Sequence, residues 1–178
     1  VMTTVGMGTL LEQRVGTLSF GITLLWSILI TSGIYMAIAV VLSWVWEYDN
    51  LLYQHSVGFS GVLFHLSVLE CHLPEYQQSP RSLFGMVQVN SKLYPWALLV
   101  VLQVFMPNLS FTGHLAGILA GHLHHYHAFQ CLFPRDAFWR EMDSWPLVTR
   151  TLAKVPSYVR APVDGTRHHS PHENLGVA

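Results

Sequence analysis

The chain has 178 residues, 51% of them hydrophobic and only 11% charged, and its formal net charge is -1. That balance lies outside the soluble average and makes a membrane protein the first reading. It gives no general pull toward nucleic acid, and no interleaving of aromatic and basic residues suggests a base-stacking platform, so nucleic acid is not an expected partner.

The opening "VMTTVGMGTLL" is about half the length of a spanning helix and runs into the charged "EQR" of Glu12 to Arg14. It has neither a basic n-region nor a small-residue cleavage site, so it does not read as a signal peptide, and the protein is expected to begin upstream. From Leu18 to Trp46 the sequence is apolar throughout, with no charged residue between Arg14 and Glu47. This exceeds the roughly 20 residues that cross a bilayer, and Trp44, Trp46 and Tyr48 close it like an interfacial belt. The next apolar run, Val57 to Leu69, is shorter than a span. It predicts a helix that starts at membrane depth after an irregular segment, which is tolerated only where protein or a water-filled cavity covers it.

Residues Glu70 to Ser82, "ECHLPEYQQSPRS", read as a loop leading to Lys92. Leu93 to Met106 and Ser110 to His122 follow as two apolar segments joined by "PNLS", and no charge occurs between Lys92 and Arg135, so the pair reads as a transmembrane hairpin. Asn108-Leu109-Ser110 fits a glycosylation sequon but is pressed into that turn, and modification is not expected. After Tyr126 the composition turns charged and Pro-rich. The predicted organisation is a membrane domain over residues 1–126 and a tail over 127–178, largely disordered from about 158.

Threading these segments alternately across a membrane puts all nine Lys and Arg residues on one side, while Glu47 and Asp49 lie on the other. The positive-inside rule assigns the basic side, with the C-terminus, to the cytosol. Cys71 and Cys131 lack the spacing of a zinc site or redox pair and fall on that reducing side, as expected of free thiols. The predicted fold class is all-α: a polytopic transmembrane bundle made of the end of one helix plus four further helices, with a cytosolic tail.

Two stretches carry residues that could do chemistry. In Gly58-Phe59-Ser60-Gly61 a serine is boxed by glycines at the start of the short helix. Ser60, Phe64, Ser67 and Cys71 share a helical face, and Gly58 and Gly61 leave room for another backbone, so helix packing alone would explain the stretch. In "TGHLAGILAGHLHHYH", Gly113, Gly117 and Gly121 recur every four residues as a close-packing ridge, and His114 stands at its entry. Ser60 and His114 are expected at matching depth. A serine hydroxyl needs an adjacent base, and neutral imidazole is the usual partner. Gly58, Phe59 and Gly61 would then clear space for substrate and for backbone N–H groups aimed at an oxyanion. An ionisable residue inside a span is a functional hypothesis by default, which favours His114. His65 lies about 140° from Ser60 on the helical wheel and is expected to face the bundle or water without catalytic duty. His122, His124, His125 and His127 bunch at the helix end with no carboxylate beside them, and no metal site is expected.

With Gly58-Phe59-Ser60-Gly61 and Gly113-His114-Leu115-Ala116-Gly117 in separate short helices, the chain resembles the rhomboid intramembrane serine proteases. The wording "VGFSGVLF" and "SFTGHLAGILAG" is most similar to the rhomboid-domain-containing subgroup of the endoplasmic reticulum. "GTLLEQRVGT", Gly8 to Thr17, resembles the end of the family's second core helix, and the likeness covers roughly residues 1 to 125. The resemblance implies that Ser60 is the nucleophile, His114 the general base and Phe64 the aromatic that packs on the histidine ring. It implies single-pass membrane proteins as substrates, membrane lipids as surroundings, no cofactor, an endoplasmic-reticulum or other endomembrane location, and quality-control partners recruited by the tail. The family's first helix, its membrane-embedded loop and a His and Asn near the oxyanion would all precede Val1, so the 178 residues alone are expected to lack those two side-chain oxyanion donors and to be inactive without the upstream helices. A second reading stays open, in which a noncatalytic rhomboid-like protein binds membrane clients. A channel or transporter is disfavoured, since the sequence has neither an inverted repeat nor a ring of charges.

Overall fold

The computed structural model describes residues 2–46, 59–73, 80–83, 85, 87–126, 128 and 136–162. Helix α1 spans Met2–Val15 and α2 spans Thr17–Trp46. Between them Gly16 adopts φ +86°, a left-handed turn in which a side chain would be strained. Helix α3 spans Ser60–Cys71, α4 spans Tyr94–Phe105 with Pro95 in its first turn, and α5 spans Phe111–His125. A short antiparallel hairpin, β1 Arg81–Leu83 and β2 Val87–Val89, pairs Arg81 with Val89 and precedes α4. Two further short helices follow the bundle, α6 Asp136–Asp143 and α7 Pro146–Arg150.

The sense of each helix follows from its contacts. The start of α2 packs beside the end of α3, where Phe20 and Leu24 join a core of Leu11, Val62 and Leu66 that extends to Leu69 and Leu73. The start of α4 also meets the end of α3, through Tyr94, Cys71 and Leu83. Helix α5 runs parallel to α3, and Phe64, Val68, Leu99 and Ile118 close the centre between α3, α4 and α5.

Helix α2 has a narrow buried stripe at Ser27, Ile30, Thr31 and Ala39, while Leu25, Leu29, Met36, Val40, Val41 and Val45 are each more than half exposed. Thr17–Val45 is the one stretch among the described residues long and apolar enough to cross a membrane. Its outward apolar face far exceeds what a monomeric protein leaves against water. Ser60–Cys71 and Ser91–Phe105 are shorter apolar helices.

The segment expected to be a loop contains β1, and its order has a cause. Arg81 reaches back to Glu70 with two nitrogens, at 2.9 and 3.1 Å, and its guanidinium lies 5.5 Å from the Tyr94 ring centre. Burial alone would lower the Arg81 pKa, but Glu70 more than offsets it and holds the group above its ordinary range. The ordered contacts also pass the expected limit of the tail. The Thr17 N–H donates to Val159 O at 2.8 Å, and the Val159 N–H donates to Thr17 Oγ1 at 2.8 Å. Gly58, Cys131 and His127, and the Glu47 and Asp49 of the topology reading, lie outside the described residues.

Candidate active site

The sequence places glycine where α3 and α5 cross, and the backbones consequently touch. A Cβ on Gly61 would stand 2.9 Å from Gly113 O, and one on Gly117 would collide with Gly61 O. One turn further, a Cβ on Gly121 would lie 2.7 Å from Val68 Cβ and 2.9 Å from His65 O. All three positions therefore need a hydrogen for the helices to come this close.

This approach brings Ser60 and His114 together, with Ser60 Oγ 3.0 Å from His114 Nε2. Ser60 is the first residue of α3 and His114 sits in the first turn of α5, so the pair shares one end of the bundle. The α5 start is fixed by Ser110, whose Oγ accepts the Gly113 N–H at 3.2 Å. His114 is buried, whereas Ser60 and Phe59 are exposed, so the hydroxyl is open to an incoming group while its base is shielded. The Phe64 ring lies 4.7 Å from the His114 ring, tilted by 36°, and limits its rotation.

When the His114 proton sits on Nδ1, the Ser60 hydroxyl donates to Nε2, the arrangement a general base requires. His114 Nδ1 is buried and has no hydrogen-bond partner, so among the described residues the arrangement is a pair and not a triad. Phe59 precedes α3 without a side-chain cap, and Leu63 N–H is the first to bond back, to Phe59 O at 3.1 Å. The N–H groups of Ser60, Gly61 and Val62 thus have no acceptor within the helix, and the positive end of the helix dipole stands at the serine.

The residues at the other end of α3 and α5 form a separate polar system. His65 is fully buried, with Nδ1 3.3 Å from Thr31 Oγ1 of α2 and Nε2 3.0 Å from His124 Nδ1 of α5. It faces the bundle, away from Ser60. His72 Nδ1–H donates to Val68 O at 2.8 Å, and its ring packs 4.0 Å from His125 and 5.4 Å from His122. Among the described residues no group of three or more His, Cys, Asp or Glu side chains is placed to hold a metal ion. Sequence reasoning did not find Thr31 as the partner of His65. The available signal is Ser27, Thr31 and Tyr35, polar residues four apart along one face of an otherwise apolar helix.

A family model described as the Rhomboid domain matches residues 1–131. Rhomboid-like protein 15 of Arabidopsis thaliana is 37% identical over 148 residues, covering 81% of this chain and 36% of that protein. This match is longer than the domain and so runs on into the segment after it. Rhomboid-like protein 14, mitochondrial, of the same plant is 36% identical over 68% of this chain and 35% of its own length. Rhomboid-related protein 4 of Homo sapiens is 32% identical over 64% of the chain and 35% of its own length. The chain spans about a third of the length of these relatives. No solved structure matches it.

Proposed function

The chain belongs to the rhomboid family, whose members are embedded in membranes, and we propose that it carries the Ser60–His114 dyad of an intramembrane serine endopeptidase. The observation that carries this reading is the 3.0 Å contact between Ser60 Oγ and His114 Nε2 across a glycine-built helix crossing. Ser60 attacks a peptide carbonyl of a single-pass membrane protein while His114 takes the hydroxyl proton. The N–H groups at the α3 N-terminus, beside the exposed Phe59, receive the oxyanion, whereas Gly61, expected to clear space for substrate, is taken up by its contact with α5. His114 then passes its proton to the leaving amine, and a water hydrolyses the acyl-enzyme with His114 as base.

In this reading α2 to α5 cross the bilayer in alternating sense, residues 1–126 are the membrane domain, and 127–178 form a cytosolic tail that recruits quality-control partners. The alternating helix contacts support that threading, as does the gathering of Arg14, Arg81, Lys92 and Arg140 at one end of the bundle. The endoplasmic reticulum is the proposed location.

A second reading is a noncatalytic, client-binding member of the family. It draws on His114 Nδ1, because no group among the described residues holds the proton there. With the proton on Nε2 the imidazole would donate to Ser60 and not activate it. The test is cleavage of a model single-pass membrane protein by the full-length protein, by Ser60→Ala and by His114→Ala. Cleavage by wild type alone is expected. Client binding and turnover that survive Ser60→Ala would select the second reading.

A further inference from the structure

The segment after the bundle is fastened at the level where α2 enters the membrane. Thr17, which exchanges two hydrogen bonds with Val159, is the first residue of the apolar stretch Thr17–Val45. Asp143 of α6 ties the segment to itself, accepting the Tyr158 hydroxyl and, at 2.6 Å, the Ala161 N–H. Gly16 leaves room for this return: a Cβ there would stand 2.8 Å from Ala161 N. Residues 136–162 are therefore held at the membrane edge and are not a trailing tail.

What the segment shows outward is apolar and cationic. Its buried side chains are Trp139 and Val148, whereas Phe138, Trp145, Leu147, Leu152 and Val155 are 42%, 48%, 71%, 42% and 47% exposed. Over residues 136–162 the sequence has four cations, Arg140, Arg150, Lys154 and Arg160, against the carboxylates Asp136, Glu141 and Asp143. Asp143 is already engaged, and Arg150, Lys154 and Arg160 are exposed. Leu147, Arg150, Leu152, Lys154 and Val155 are all exposed, so large apolar and basic side chains are interleaved along α7 and the 3-10 turn that follows it. Aromatic and aliphatic residues interleaved with Lys and Arg, on short helices pinned beside a membrane-spanning helix, match the requirements of a bilayer interface carrying negative charge.

We propose that residues 138–155 form an interfacial anchor that lies on the anionic lipid surface of the cytosolic leaflet, with Trp145, Leu147 and Leu152 at the acyl boundary and Arg150 and Lys154 on lipid phosphates or carboxylates. This rests on the membrane reading of α2. The anchor would fix the α1–α2 turn against the bilayer and so set the depth of α2.

Spin labels at Leu147→Cys and Leu152→Cys test it in the full chain, with Val40→Cys on the exposed face of α2 as reference. Within these 178 residues Cys131→Ser is the background change made, and Cys71 is buried. Collision rates with oxygen and with a water-soluble nickel chelate are compared in nanodiscs of phosphatidylcholine with and without phosphatidylserine. The labels at 147 and 152 are expected to favour oxygen in the anionic discs and to shift toward the chelate in neutral discs. Arg150→Gln with Lys154→Gln is expected to lower the docked-to-undocked ratio roughly 25-fold, about fivefold per charge. Chelate-accessible labels at 147 and 152 in both discs, with Val40 in lipid, would overturn the anchor, as would docking that ignores lipid charge. A Val40 label in water would instead overturn the membrane reading beneath it.

Discussion

At the end of the α3–α5 pair that carries Ser60 and His114, the two helices meet backbone against backbone through Gly61 and Gly117, and one side-chain hydrogen bond links them. From about 7 to 18 Å further along, the same two helices are also joined by side chains, His65 with His124 and His72 against His122 and His125, and Glu70 of α3 is held by Arg81 of β1. In the proposed reading, this contrast places a reactive pair without locking it. Backbone contact fixes the distance between Ser60 and His114 to the precision of two helices and leaves their polar atoms free for a substrate. The far end, which has no hydroxyl to keep available, uses its polar groups to hold the helices in register.

If the ends differ in this way, breaking each should have a different outcome. Gly117→Val strikes the backbone contact, where neither partner can swing aside. It is expected to destabilise the fold by more than about 3 kcal/mol, beyond the usual cost of overpacking, and to abolish cleavage; denaturation in detergent micelles measures the first and substrate turnover the second. Glu70→Gln strikes the far end and removes the carboxylate that Arg81, itself partly buried, pairs with at 2.9 Å, at a cost of about 3 kcal/mol. Folded molecules of this variant should retain cleavage, and adding Arg81→Met should recover part of the stability. Thr31→Val removes one hydrogen bond to His65 with little change in shape, and about 1 kcal/mol of stability should be lost with no change in turnover. Valine keeps the methyl that packs beside Gly61, so a Thr31→Val variant that loses turnover while remaining folded would mean that the His65 hydrogen bond also serves the Ser60–His114 pair, and the contrast would fail.

Much of the reactive end could be read from the sequence because it is local. The four-residue spacing of Gly113, Gly117 and Gly121, and the glycine beside Ser60, describe a helix contact without needing to name the partner. The far end depends on pairs distant in the chain, and there the sequence misleads. Glu70 reads as the first residue of a loop, yet α3 continues to Cys71 because Arg81 neutralises the charge in place. The expected end of α5 at His122 is passed for a similar reason: the rings of His122 and His125 pack against His72, and Trp96 stacks on His122 at 6.1 Å, which keeps the last turn inside the bundle. Composition puts the start of disorder at about residue 158, and there Thr17 and Asp143 hold Tyr158, Val159 and Ala161 with hydrogen bonds that composition cannot reveal.

The central claim, that His114 makes Ser60 a nucleophile, is tested most directly by exposing the full-length protein in lipid to a fluorophosphonate and locating the adduct by mass spectrometry. The account predicts modification of Ser60 in the wild type and its loss in His114→Ala. Equal modification of Ser60 with and without His114, or none in a folded wild type that still binds clients, would contradict it.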